Sequence, residues 1–255
     1  MRLNFSIWFS VLAFFVTLTS CKDYQIPATQ RFRIKKIRTT YADANATGTA
    51  NTYNYDGNGR LANYVGYYGN SSLPSDSTII SYDTQGRIQG ILHESWYAYR
   101  SVWRPIVSYT YEYDMSGNIS VIKEYFINVL PTSPSLVKEF QLAYGDTKFP
   151  VKVTSDFWDS SGFKLGQSVE QYTYNGGNIV KVEKSENQSA NVTTTFQYDD
   201  KPNPYYGLIT GEPDIRMFSM NNAVTSDKQY MYDSNGLLTK VVTTTATTEY
   251  EYEAY

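Results

Sequence analysis

The chain has 255 residues and a formal net charge of −3, with its charged residues spread along the sequence rather than gathered in a basic cluster. That excludes nucleic acid as a partner, because neutralising phosphates needs Lys and Arg concentrated on one surface. With 25 Tyr beside 12 Phe and 4 Trp, and few aliphatic helix formers, the composition describes an all-β protein of one large domain or two smaller ones.

At the N-terminus, Arg2 is the only charged residue among the first twenty, and Phe5 to Leu18 is an apolar run of fourteen residues. Such a run is too short for an ordinary membrane-spanning helix and suits the centre of a secretory signal. It ends in Leu18-Thr19-Ser20-Cys21, which resembles the lipobox cut by bacterial lipoprotein signal peptidase. The resemblance implies a signal peptide over residues 1–20, cleavage before Cys21 and acylation of Cys21. The alternative is an ordinary signal peptide with an incidental cysteine. Cys21 is the only cysteine, so no disulfide explains it. Several acyl chains anchor durably, since each buried methylene contributes about 0.8 kcal/mol. Cleavage would leave 235 residues with a net charge of −4.

Lys22 stands where many inner-membrane lipoproteins carry a retaining Asp, and Lys22-Asp23 partly resembles the surface-export signal of Bacteroidota lipoproteins. The outer membrane is therefore the expected location, on either face. Residues 21–30 read as a lipid-anchored tether and residues 31–255 as the β domain, with a first strand starting at Arg31.

Along that domain a tyrosine returns at Tyr55, Tyr82, Tyr113, Tyr144, Tyr174, Tyr198 and Tyr232, at intervals of 27, 31, 31, 30, 24 and 34 residues. Four copies keep Tyr-Asp-x-x-Gly, with Asp56 and Gly59, Asp83 and Gly86, Asp114 and Gly117, and Asp233 and Gly236. The copies at Tyr144 and Tyr198 have drifted, and the first of these is the least regular. Residues before each tyrosine alternate, as Tyr109, Tyr111 and Tyr113 do against Thr110 and Glu112, which is the period of a strand. A second β-rich run follows each glycine.

Asp at the first turn position accepts backbone N–H groups, and Gly at the fourth supplies a left-handed backbone, so each repeat predicts a hairpin with a bulge. Seven hairpins give an antiparallel up-and-down meander of about fourteen strands, strongly curved or closed like a barrel. Asp56 and Asn58 carry the spacing of calcium ligands, but a distant bidentate carboxylate is missing, and no metal or other cofactor is expected.

Trp96, Tyr97, Tyr99 and Trp103 cluster near Arg100 and Arg104 and are candidates for stacking on sugar rings, against the alternative of core filling or edge pairing. His93 is the only histidine, which argues against a histidine-rich metal site, and it reads as a surface or strand-edge residue. No residue is assigned a catalytic role. Acidic residues fall in turns or alternate along strands, where solvation and cross-strand pairing account for them.

The Tyr-Asp-x-x-Gly hairpins resemble the YD repeats of Rhs-type proteins, whose copies are shorter and more regular. From Tyr174 to Tyr250 the order is more specific: a Tyr-Asp strand followed by Asn203-Pro204, then Asn221-Asn222, then the Tyr232 hairpin. That order resembles Bacteroidota secreted lipoproteins described as a domain of unknown function with a porin-like fold. A membrane-spanning barrel is not expected even so. Counting back by two from the aromatic C-terminal Tyr255 meets Glu253, Glu251 and Glu249, on the face a barrel turns to lipid.

The expected role is a non-enzymatic envelope lipoprotein that binds a ligand, such as a glycan, or a protein partner. The alternatives are a structural, shell-like scaffold as in Rhs-type proteins and a carboxylate-dependent carbohydrate hydrolase.

Overall fold

The computed structural model describes residues 32–69, 71–127, 134–187 and 189–255. Cys21, the signal peptide, the tether and Arg31 lie outside these residues.

The chain opens with β1 (Phe32–Tyr41), β2 (Thr49–Tyr55), β3 (Leu61–Tyr68), β4 (Pro74–Tyr82), β5 (Ile88–Tyr97) and β6 (Val102–Tyr113). It continues through β7 (Ile119–Phe126), β8 (Ser135–Tyr144), β9 (Pro150–Trp158), β10 (Lys164–Asn175), β11 (Asn178–Glu186) and β12 (Val192–Thr195). After β13 (Gln197–Pro202) come a single-turn helix α1 (Ile215–Phe218), β14 (Asn221–Val224), β15 (Gln229–Tyr232), β16 (Leu238–Val242) and β17 (Ala246–Ala254). One antiparallel sheet holds 15 strands, in the order β12 back through β1 and then β17, β16 and β15; β13 and β14 form a separate pair.

Six of the seven expected hairpins form, at Tyr55, Tyr82, Tyr113, Tyr144, Tyr174 and Tyr232. The copy at Tyr198 does not, which corrects one expectation. The chain leaves the main sheet after β12, and β13 pairs with β14 instead; after Asp199 that strand runs on to Pro202 and ends at Asn203-Pro204, where proline cannot donate to a ladder. Strands β1, β12 and β17 raise the main sheet above the expected fourteen. A strongly curved or closed sheet is the second correction: the sheet is neither strongly curled nor closed, and its backbone ladder ends at β12 and β15, which do not pair. The chain that would have joined those edges is diverted into β13, α1 and β14.

Asp83 shows how each turn is built. Its backbone N–H donates to the Arg87 carbonyl at 2.8 Å, and its own carbonyl accepts from Gly86 N–H at 3.0 Å. Its Oδ1 accepts from the N–H groups of Gln85 and Arg87, both at 2.9 Å. Gly86 has φ of +84°, a conformation in which a Cβ is strained. Asp56, Asp114 and Asp233 repeat this pattern, with Gly59, Gly117 and Gly236 closing the turns. Asp159 and Gly162 build the same turn between β9 and β10, after a tryptophan in place of the tyrosine.

In the six hairpins the repeat tyrosine follows a bulge. The register steps between Asn54 and Tyr55, so that Asn54 faces Asn63 while Tyr55 faces Leu61. The tyrosine hydroxyl then leaves its own hairpin. Tyr82 donates at 2.9 Å to the carbonyl of Leu61, the residue opposite Tyr55. Tyr113 reaches the Ile88 carbonyl at 2.7 Å, Tyr144 that of Ile119 at 3.0 Å, and Tyr174 that of Pro150 at 2.9 Å. Tyr55, Tyr198 and Tyr252 do the same to Ile34, Ile179 and Leu238. Each hydroxyl supplies a hydrogen bond where the bulge interrupts the backbone ladder.

Arginine adds a second link. Arg60 is held by the Asp56 carboxylate through Nε at 2.8 Å, and its guanidinium lies 4.1 Å from the centre of the Tyr82 ring in the next hairpin. Arg87 repeats this between Asp83 and Tyr113, with the guanidinium 4.4 Å from the ring centre. At Asp56 and Asp83, burial favours the neutral acid, but backbone N–H groups and the arginine outweigh it and hold the carboxyl below its ordinary value.

Candidate functional site

Residues 203–220 cross the inner face of the sheet, and side chains along them fix the crossing. Asn203 Nδ2 donates to the carbonyls of Arg216 at 2.7 Å and Ser219 at 2.8 Å, and its Oδ1 accepts from Tyr205 N–H at 2.9 Å. Asn221 exchanges hydrogen bonds with Asn178, at 2.9 Å in each direction. Between these points Tyr111 donates to the Gly211 carbonyl at 3.1 Å. Gly211 has φ of +139°, and a Cβ there would stand 3.1 Å from the Tyr109 ring, so this crossing point needs glycine. Met217 and Phe218 are buried in the core with Ile122, Val153 and Ile179 of the sheet.

Three charged or titratable side chains, His93, Glu124 and Lys138, lie beneath the crossing. His93, far from a strand edge, is half-buried in the middle of β5. Its Nδ1 is 2.6 Å from the Thr78 hydroxyl, and burial lowers its pKa. Lys138 bridges the buried Glu124, at 3.3 Å, to Glu212 of the crossing segment. Burial and the neighbouring Glu212 raise the Glu124 pKa against the pull of Lys138.

Where the crossing meets the last strands, it borders a cavity of about 560 Å³ that opens to solvent. Tyr198 of β13, Tyr230 of β15, Leu238 of β16 and Tyr250 of β17 contribute to the wall, with Tyr205 from the crossing itself. The Tyr205 and Tyr250 rings meet edge-on with centroids 6.2 Å apart. Arg216 packs its guanidinium 4.8 Å from the Tyr205 ring centre and binds Asp214 through Nε and Nη2. β13 also links the two ends of the sheet by side chains: Tyr198 reaches Ile179, and the Tyr232 hydroxyl donates to Asp199 Oδ2.

The aromatic residues singled out from sequence sit elsewhere. Trp96 and Trp103 face each other across the interior strands β5 and β6, edge to face, with ring centroids 5.1 Å apart. Arg104 covers the Tyr97 ring at 3.9 Å, while Tyr99 at the hairpin tip is 88 % exposed. None of the four lines the cavity. Sequence reasoning missed Tyr205, Arg216 and Tyr250 as wall residues. The available signal was the breakdown of the repeat at Asn203-Pro204, which places a non-repeating segment against a regular sheet. Among the described residues, no group of three His, Cys, Asp or Glu side chains is placed to hold a metal ion.

No protein-family model matches the chain, and no curated protein is similar to it in sequence. Solved structures do resemble it. A porin-like protein from Bacteroides uniformis matches with a TM-score of 0.52 and 15% identity, over 86% of this chain and 96% of that one. DUF3836 family proteins match shorter stretches. That from Parabacteroides distasonis covers 33% of this chain and 74% of its own, at 14% identity and a TM-score of 0.27. That from Bacteroides vulgatus covers 34% and 90%, at 15% identity and a TM-score of 0.29. The first likeness shows a shared fold. No helix among the described residues is long and apolar enough to cross a membrane.

Proposed function

We propose that the chain is a non-catalytic binding protein of the bacterial envelope, exported, cleaved before Cys21 and held at the outer membrane by acyl chains on that cysteine. The observation that carries the binding role is the cavity of about 560 Å³, a volume suited to a small ligand, with walls already fixed by internal hydrogen bonds. A preformed wall lowers the ordering cost of binding. Anchoring by lipid rather than by the sheet is supported by the charge on β1, β16 and β17. Lys36 pairs in register with Glu251 and Arg38 with Glu249, and Lys240 lies 2.9 Å from Glu249. The exposed hairpin tip around Tyr99 is a second surface, suited to a glycan or an envelope protein.

Labelled palmitate tests the anchor: incorporation by the wild-type chain and none by Cys21→Ala is the expected result, and equal labelling would rule the anchor out. Thermal-shift screening against glycans and small amphiphiles tests binding, with a rise in melting temperature expected for at least one class.

A scaffold role is the second reading. It is favoured by β12, an edge strand whose four residues are all exposed and uncharged and whose outer N–H and C=O groups offer a template for another strand. Assembly into larger species through that edge, abolished by a proline at Thr193, whose N–H faces away from β11, would favour this reading over the first.

A further inference from the structure

The chemistry of the cavity wall selects among ligands. Its surface is mostly aromatic and aliphatic, and the neutral polar side chains around it are engaged within the protein. Tyr198 donates to the Ile179 carbonyl, Tyr230 to that of Ala223 at 3.0 Å, and Tyr205 to the Tyr250 hydroxyl at 3.4 Å. Asn203 is bonded at both ends of its amide, Asn222 Nδ2 faces the Pro202 carbonyl at 3.2 Å, and Thr248 is paired with Thr39 at 3.1 Å. A neutral sugar ring, which needs donors and acceptors around its circumference, finds few free here.

The charged groups differ. Asp214 ties down Nε and one N–H of Nη2 on the Arg216 guanidinium and fixes its direction, leaving the Nη1 edge and the second Nη2 N–H. The remaining N–H groups on the far side are a planar fork, the geometry that receives a carboxylate through two hydrogen bonds. The Arg216 side chain is 58% exposed, so a ligand reaches it from solvent. Lys228 also lines the cavity, giving two cations against the one Asp214 carboxylate. Tyr250, whose hydroxyl accepts from Tyr205, keeps its own proton to donate.

From this we infer that the cavity takes an amphipathic carboxylic acid, with its apolar body against Tyr198, Tyr230, Leu238 and Tyr250 and its carboxylate on Arg216. This inference rests on the binding role proposed above and names the ligand class of that site. A medium-chain fatty acid and an aromatic acid share this chemistry, and the length of the apolar body distinguishes them.

Calorimetric titration of the purified protein with decanoate, decanol, phenylpropionate and a neutral glucan heptasaccharide tests it. Decanoate or phenylpropionate should bind one per chain and at least tenfold more tightly than decanol, and the tighter of the two acids identifies the body. Arg216→Gln should weaken the acid about tenfold and leave decanol unchanged, and Lys228→Gln, an exposed substitution with little bearing on folding, should weaken it about threefold. Ala223→Trp, which fills the cavity, should abolish binding of both. Equal affinity for decanoate and decanol, or acid binding indifferent to both charge substitutions, would overturn the inference. Saturation by the glucan alone, lost in Ala223→Trp, overturns the acid while leaving a binding role standing. Silence toward all four probes also overturns the acid, and the binding role itself then stands or falls by the wider thermal-shift screen.

Discussion

The strands from β1 to β11 and the segment from Asn203 to Met220 are built on opposite plans. In the first region one unit recurs, and each unit is joined to the next by the same tyrosine hydroxyl and, twice, by the same arginine over a ring. No link is unique, so the loss of one leaves its neighbours in place. In the crossing segment every link occurs once: Asn203 at its start, Gly211 under Tyr111, Glu212 on Lys138, and Phe218 in the core. Stability in the repeated region is distributed, whereas the shape of the cavity depends on a few unrepeated contacts.

Substitutions that strike the two plans separately can break that contrast. Phe218→Ala should have the largest effect, about 3–5 kcal/mol in denaturant unfolding, because it empties a fully packed site between α1 and β10. A loss below about 1 kcal/mol would mean the crossing is not integral to the core. Next comes Asp83→Ala, which strands the N–H groups of Gln85 and Arg87 and releases Arg87 from Tyr113, with an expected cost of about 1–2 kcal/mol. Tyr82→Phe removes one inter-hairpin hydrogen bond and should cost about 1 kcal/mol with an unchanged m-value, since the sheet keeps its other links.

The smallest effect concerns pH. The carboxyls of Asp56, Asp83 and Asp114 are held below their ordinary value, because backbone N–H bonds outweigh the effect of burial. Depressed acids contribute stability above the ordinary carboxylate range, and it is lost as pH falls through their lowered values, below about pH 4. Glu124 has the opposite sign. Burial raises its pKa, so its ionisation lowers stability as pH rises from the ordinary glutamate range through that raised value. Glu124→Gln should therefore flatten the mildly acidic part of a melting-temperature profile and leave the strongly acidic part unchanged. An unaltered profile in the mildly acidic range would show that Glu124 titrates normally.

The repeated region was the more legible of the two in the sequence. Asp and Gly at fixed spacing specify a turn from local chemistry alone, and the hairpin at Tyr144 forms even where that spacing is lost. Asp159-Ser160-Ser161-Gly162 carried the same signal and went unread, because its preceding residue is Trp158. What alternation cannot reveal is where a hydroxyl goes once it leaves its hairpin. The tyrosine partners lie 19 to 25 residues away across most of the ladder, a distance set by register and not by local pattern. Closure was misjudged for the same reason. Counting hairpins makes Tyr198 one more copy, whereas its strand β13 pairs with β14 outside the main sheet and leaves β12 and β15 as edges. The cavity was illegible because its wall joins residues from Tyr198 to Tyr250 that meet only after that departure.

The tyrosine-to-carbonyl bond carries one further implication, for how such a chain changes length over evolutionary time. From Tyr82 to Tyr174 successive units share one connector, so a duplicated or deleted unit there would meet neighbours already equipped to receive it. The array can grow or shrink by whole modules at little energetic risk, while the lone diverted segment preserves whatever recess it shapes.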